Sequence, residues 1–177
     1  MKKIILFLSL TICMTACKQK AEPTPVSPAE EVYTLTEEHL TIGGIILGEY
    51  GYATRSKLVD KYGYPTERTD DHVTHELVED DGYLWATGTY YFMDQKFYRV
   101  RYESSPIPYA DARKRAMRQA IYTRKYKFLE TINGADTSYV SRVKYEMEGE
   151  LKPLVVINVE ERKAGHVVVA TYEYVAN

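Results

Sequence analysis

The densest collection of side chains able to do chemistry spans Thr69–Asp81, TDDHVTHELVEDD. It offers Asp70, Asp71, His72, His75, Glu76, Glu79, Asp80 and Asp81, and imidazole with carboxylate suits divalent transition metals. Asp70, His72, His75 and Glu76 are the candidate metal ligands. Whether they converge depends on the element that carries them. His72 and His75 stand three residues apart, on one face of a helix but on opposite faces of a strand. The stretch reads as a strand. It also lacks the glycine that a calcium loop needs at its sixth position. Without a metal, the same residues make a solvated edge strand whose charges block unwanted pairing.

Other reactive constellations are missing from the sequence. His39 and His166 are isolated. Ser104-Ser105-Pro106 has no Gly-x-Ser-x-Gly elbow around it. Gly43-Gly44 and Gly48 do not fit a phosphate-cradling loop. The reading is a chain without catalytic residues and without a cofactor.

Two features favour binding. Seventeen tyrosines stand against four phenylalanines and one tryptophan. They concentrate in WATGTYYF (85–92), FYRVRY (97–102) and TYEY (171–174). Tyrosine suits a half-wet surface because its ring is apolar and its hydroxyl polar. Trp85, Tyr91, Tyr98 and Tyr102, with Arg99 and Arg101, are therefore the candidate interaction residues. The competing explanation is strand propensity with cross-strand ring pairing. The second feature is a basic run, Arg113, Lys114, Arg115, Arg118, Arg124, Lys125 and Lys127, set against Asp111 and Glu130. It fits an acidic partner or lipid headgroups, or a solvated helix side whose long stems cover apolar neighbours.

The 177 residues suffice for one ordinary domain. The hydrophobic share of 45% and charged share of 27% are those of a globular chain. Net charge is -2, which gives no global attraction to nucleic acid or anionic lipid.

The N-terminus, MKKIILFLSLTICMTAC, carries Lys2 and Lys3, then an apolar run from Ile4 to Met14, then Thr15, Ala16 and Cys17. A permanent span needs about twenty apolar residues, so this run fits a signal segment. The order of lysines, short apolar run and small residue before Cys17 resembles the lipobox of bacterial lipoproteins, with Met14 where that family usually has leucine. The resemblance implies removal of residues 1–16 and acyl chains on Cys17. It also implies attachment to a membrane of the bacterial cell envelope. Lys18 in place of aspartate implies the outer membrane, facing the periplasm. Loss of Lys2 and Lys3 would leave a charge of about -4. Cys13 would go with the signal, so the folded part would hold no free thiol. Residues 17–32 hold Cys17 and a tether with Pro23, Pro25 and Pro28, able to reach roughly 45 Å.

Residues 33–177 form the expected single globular domain. Thr34 and Glu37 have capping-box spacing for a helical turn. Thr41–Gly48 reads as a short strand, and Thr54 caps a helix over 55–62 that Gly63 and Pro65 end. Strands follow at His72–Val78, Leu84–Met93 and Phe97–Glu103, where Tyr98, Val100 and Tyr102 share one side and Phe97, Arg99 and Arg101 the other. Pro106 and Pro108 open a long helix over 109–132, with Ala112, Ala116, Met117, Ala120, Ile121, Phe128 and Ile132 on its apolar side and Asn133-Gly134 as C-cap. The last strands are Tyr139–Met147, Leu154–Glu160 and His166–Val175.

The order β-α-β-β-β-α-β-β-β predicts an α+β fold, an antiparallel sheet with two helices on one face, and permits two α-β-β-β units. Ile46-Leu47-Gly48, a helix about six residues on, and the Tyr62-Gly63-Tyr64-Pro65 ending resemble the small modules of BamE/SmpA lipoproteins and the β-lactamase inhibitor protein. That resemblance implies action by protein contact. The leading expectation is a non-catalytic, lipid-anchored interaction module with an envelope protein as partner and no nucleic acid. The alternatives are a periplasmic binder of small ligands or glycans on the tyrosine-rich sheet, and a metal-dependent protein using residues 70–81.

Overall fold

Tight two-residue turns between alternating strands organise most of the chain. The computed structural model describes residues 33–133 and 136–176. The elements are α1 (Glu37–Leu40), β1 (Thr41–Ile42), β2 (Ile45–Ile46), α2 (Gly51–Tyr62), β3 (Glu67–Arg68), β4 (His72–Asp80), β5 (Tyr83–Met93), β6 (Lys96–Glu103), α3 (Tyr109–Tyr122), β7 (Phe128–Asn133), β8 (Asp136–Ser141), β9 (Lys144–Met147), β10 (Glu150–Pro153), β11 (Val155–Arg162) and β12 (Gly165–Glu173). Asp81-Gly82, Asp94-Gln95 and Glu148-Gly149 take positive φ at both central positions, the turn geometry that matches strand twist.

The fold is α+β, with an eight-stranded antiparallel sheet in the order β3-β4-β5-β6-β12-β11-β8-β7. α2 packs on β4 and β6, and α3 on β8, β11 and β12, on the same face of the sheet. The order is symmetric about the β6–β12 pair. A helix followed by β4-β5-β6 faces a helix followed by β8-β11-β12, and the last strand of each unit meets the other at the centre. There Val100 lies opposite Tyr172 and Tyr102 opposite Ala170. The two units share one sheet.

Aromatic rings fill the space beneath the helices. Trp85 stacks on Tyr102 with ring centres 5.6 Å apart. Tyr102 meets Tyr172 edge-on at 5.9 Å, and Tyr172 meets Tyr126 at 5.6 Å. Leu58 from α2 and Ala112, Ala116 and Ala120 from α3 close the layer. The alanine stripe, four residues apart, lets α3 lie close to the sheet.

Several elements differ from the sequence reading. α2 begins at Gly51 with Tyr50 as N-cap, and Thr54 is buried inside it. The capping box of α1 uses Thr36 and His39 rather than Thr34 and Glu37. Residues 41–48 fold back at Gly43-Gly44 as the two-stranded β1–β2 hairpin. The expected strand 139–147 divides into β8 and β9, and β9 pairs with β10 outside the main sheet.

The largest difference is α3, which ends at Tyr122 rather than 132. The Thr123 hydroxyl donates to the Gln119 carbonyl at 2.6 Å, a single 3-10 turn follows over Arg124–Tyr126, and Lys127 adopts a left-handed conformation. Phe128–Asn133 then pairs with Asp136–Ser141. The physical reason lies in Asn133-Gly134, a dipeptide that marks hairpins as readily as helix ends. With the helix cut short, Met117 and Ile121 turn out exposed, at 43% and 51%.

One irregularity matters for the site. Along β4 the inward residues are Val73 and His75, then Val78 and Asp80. Leu77 has φ 53° and is 70% exposed. The facing strand shifts phase with it, burying Gly88 and Tyr90 but also Trp85. Gly88 sits under the Tyr102 ring, and a Cβ there would lie 3.0 Å from Tyr102 and from Val78. Gly88→Ala should therefore destabilise the protein by roughly 1–3 kcal/mol through overpacking. Urea unfolding would check this, and an unchanged midpoint would refute the packing argument.

Candidate functional site

The acidic and histidine-rich stretch does not assemble into a metal site. His72 points to the outer face, where its ring contacts Tyr91, while His75 is buried beneath α2 against Tyr62 and Tyr90. A strand separates the two imidazoles, so they cannot share an ion. His72 engages Asp71 and Glu67 at 3.0 and 3.5 Å. Asp70 and Glu76 are exposed, and the Asp70 carbonyl accepts from Arg55. Among the described residues, no group of three His, Cys, Asp or Glu side chains could hold a metal ion.

The candidate interaction residues divide between two faces. Trp85 and Tyr102 are 0% and 1% exposed, in the core, and cannot meet a partner. The shift at Leu77 turns Trp85 inward, and strict alternation along Val100–Tyr102 does the same for Tyr102. Tyr91, Arg99 and Arg101 remain on the outer face, with Tyr98 beside them. A register shift between Tyr91 and Phe92 puts Phe97, not Tyr98, in the core. This outer face largely satisfies itself. Arg99 pairs with Glu173 at 2.5 Å and lies 5.1 Å over the Tyr98 ring. Arg101 pairs with Glu103 at 2.7 Å and Glu160 at 3.1 Å, and Arg162 closes on Glu160 at 2.5 Å. These ions bridge β6, β12 and β11, so their charge is spent within the sheet.

The opposite situation holds at the end of the domain where α3 passes the β4–β5 turn. A cleft of about 550 Å³ is lined by Gly82, Tyr83, Leu84, Ile107, Asp111, Lys114, Arg115 and Arg118. Residues 111, 114, 115 and 118 share one side of the helix. Arg115 is half-buried, its guanidinium 5.4 Å from the Trp85 ring and 5.9 Å from Tyr83. It donates to the Leu84 carbonyl, while its buried Nε has no acceptor. Burial lowers its basicity, and among the described residues no carboxylate forms an ion pair with it. Beside the cleft Leu84 and Tyr122 are 59% and 70% exposed. The basic-helix reading thus applies to Lys114, Arg115 and Arg118. Arg124 belongs to the 3-10 turn, Lys125 bonds the Glu38 and Thr41 carbonyls, and Lys127 sits before β7.

A second group of polar atoms is internal. Asp80 is 2% exposed and neither carboxyl oxygen makes a well-formed hydrogen bond. His75, 2% exposed, has no partner for either ring nitrogen, and Trp85 Nε1 and the Gln119 amide are equally unsatisfied. No sequence signal distinguished Asp80 from its acidic neighbours; only the inward phase after Leu77 does so.

Comparison of the chain with known protein families, with characterised proteins and with solved structures finds no match. Cys17 and the expected signal and tether, residues 1–32, lie outside the described residues. No helix among the described residues is long and apolar enough to cross a membrane.

The internal acid has a measurable consequence. Burial, reinforced by the Asp81 charge, pushes the Asp80 carboxyl up to about 7, against weaker opposing pulls from Lys61, Lys125 and the Gly43 backbone. The folded state therefore holds a proton that the unfolded chain has lost between about pH 4 and 7. This term stabilises below that window and is lost as pH rises through it. Burial of His75 lowers its pKa, so that group acts the other way and loses stability as pH falls below about 6.5. Subtracting the Asp80→Asn profile from wild type isolates the first term. Asp80→Asn should be more stable above pH 7, by at most about 4 kcal/mol, with the gap closing toward pH 4. Urea unfolding between pH 4 and 8.5 reads this, and a gap independent of pH would refute it.

Proposed function

We propose that the chain is a non-catalytic module of a bacterial cell envelope, held by acyl chains on Cys17 at the periplasmic side of the outer membrane, that works by binding a protein partner. One observation carries the binding part of this reading: Arg115 is half-buried and, among the described residues, has no ion-pair partner, in an open cleft flanked by exposed Leu84 and Tyr122. Partly desolvated cations beside exposed apolar side chains are what a partner's surface can complete, because binding then satisfies donors that the free protein leaves open. The outer sheet face lacks that property, since Arg99 and Arg101 already have their carboxylates.

The anchor rests on the residues themselves. Lys2 and Lys3, the apolar run, and Ala16 before Cys17 have the order of a lipoprotein signal. Two or more acyl chains hold a protein on a bilayer where one does so only reversibly. The proline-containing tether then lets the domain stand away from the headgroups.

Mass spectrometry of the mature protein from membranes tests the anchor. Wild type should begin at an acylated Cys17, and Cys17→Ala should lose the acyl mass and leave the membrane fraction. A mature chain that starts elsewhere without acyl groups would remove the anchor. A photo-crosslinking side chain at Tyr122 in living cells should give a discrete protein adduct that the same group at Glu148 does not. Identical patterns from both positions would refute the placement of the contact surface.

A further inference from the structure

The cleft beside α3 has a more specific chemistry than positive charge. Lys114, Arg115 and Arg118 line it against a single acid, Asp111, with Asp81 at the neighbouring turn. Neither Lys114 nor Arg118 has an ion-pair partner among the described residues. A guanidinium presents five donors in a fixed fork that matches a carboxylate. Arg115 uses one group on the Leu84 carbonyl, and the Tyr83 and Trp85 rings hold its plane in place. Such a guanidinium is set before any ligand arrives, so little order is lost on binding. One turn beyond Arg118 stands Tyr122, whose ring packs 6.1 Å from Tyr83. Cations and exposed apolar groups therefore lie side by side.

Resting on the proposed function, we infer that this cleft binds an acidic peptide segment of a protein partner. A carboxylate side chain docks on Arg115 and Arg118, and a neighbouring apolar side chain covers Leu84 and Tyr122. Charge complementarity selects the occupant. The full chain carries a net charge of -2, so a broad anionic bilayer is not attracted as a whole. A concave site with a half-buried arginine is reached by a side chain, not by a flat layer of charge.

The test uses the full chain carrying Cys17→Ala, so that no acyl group anchors it. The probes are the acetylated hexapeptide Glu-Glu-Leu-Phe-Glu-Glu and its counterpart with glutamine at every glutamate. Fluorescence of the lone tryptophan, Trp85, reads binding, because the Arg115 guanidinium lies against its ring. The acidic peptide should bind at least about tenfold more tightly than the neutral one, and less tightly as salt is raised. Arg118→Glu, an exposed position outside the core, should remove that preference and favour a lysine-for-glutamate peptide. Leu84→Asn should weaken binding about three- to tenfold while leaving the charge preference intact.

Equal binding of acidic and neutral peptides, or an acidic preference that survives Arg118→Glu, would overturn the inference. Absence of binding would do the same. Vesicles of phosphatidylglycerol and of phosphatidylcholine form the second arm. Retention on the anionic vesicles that depends on Arg118, with no peptide binding, would assign the cleft to a lipid surface instead. The two readings fail separately. An acylated Cys17 with no peptide binding removes only this inference, whereas peptide binding by a chain never acylated in cells removes only the anchor.

Discussion

Everything in this domain leans on the pairing of β6 with β12. Each unit of a helix and three strands is small, and a smaller body buries a smaller fraction of its surface than the joined domain does. Joining the last strand of each unit makes one wide sheet with α2 and α3 side by side upon it. The residues at the seam are matched to that task. Val100, Tyr102, Ala170 and Tyr172 face the helices in a checker of large and small side chains, and the rings of Trp85, Tyr90 and Tyr126 close around Tyr102 and Tyr172. Rings meeting edge-on at about 6 Å gain from their quadrupoles as well as from burial.

Choosing tyrosine for this seam has a cost in polarity. The Tyr90 and Tyr102 hydroxyls approach each other at 3.4 Å deep in the protein. Asp80, His75, Gln119 and the Trp85 indole lie in the same layer without well-formed partners. A core of this kind is less stable than an apolar one of equal volume, because each buried polar atom surrenders its water. It is also more particular, since rings with a polar end tolerate few alternative packings. The Lys61 and Lys125 side chains, bonded to the Gly43, Glu38 and Thr41 carbonyls, brace the α1–β1–β2 segment beside Asp80.

Much of the architecture was legible in the sequence because it rests on short-range patterns. Alternation placed β4, β5, β6, β11 and β12, and Gly63 and Pro65 marked the end of α2. The α+β class and the single helical face followed from their order. What escaped detection depended on signals with two meanings. Asn133-Gly134 serves helix ends and hairpins alike, and only the partner strand β8 decides between them. Period-two reasoning also assumes that a strand keeps its phase. Leu77 breaks that assumption with a left-handed conformation that an ordinary residue seldom adopts, and nothing in HELV announces it. For this reason Trp85 lies in the core rather than on the expected binding face, and Asp80 is buried where the sequence shows one acid among six; Tyr102 is inward by plain alternation with Val100.

The same irregularity ties the fold to the cleft. Had β4 and β5 kept one phase throughout, Leu84 would face the helices and Trp85 would face outward. Arg115 would then lie over a leucine, with no indole to hold its guanidinium and no backbone carbonyl turned toward it. The phase change at Leu77 exchanges these two residues. It buries the indole where Arg115 can rest on it, and it brings Leu84 out to flank the cleft, with its carbonyl bonded to the arginine. The conformational strain at Leu77 and the two exposed leucines it produces are unfavourable for an isolated domain. They accompany the departure from regular structure that builds this cleft, where Lys114, Arg115 and Arg118 lie beside the exposed Leu84 and Tyr122.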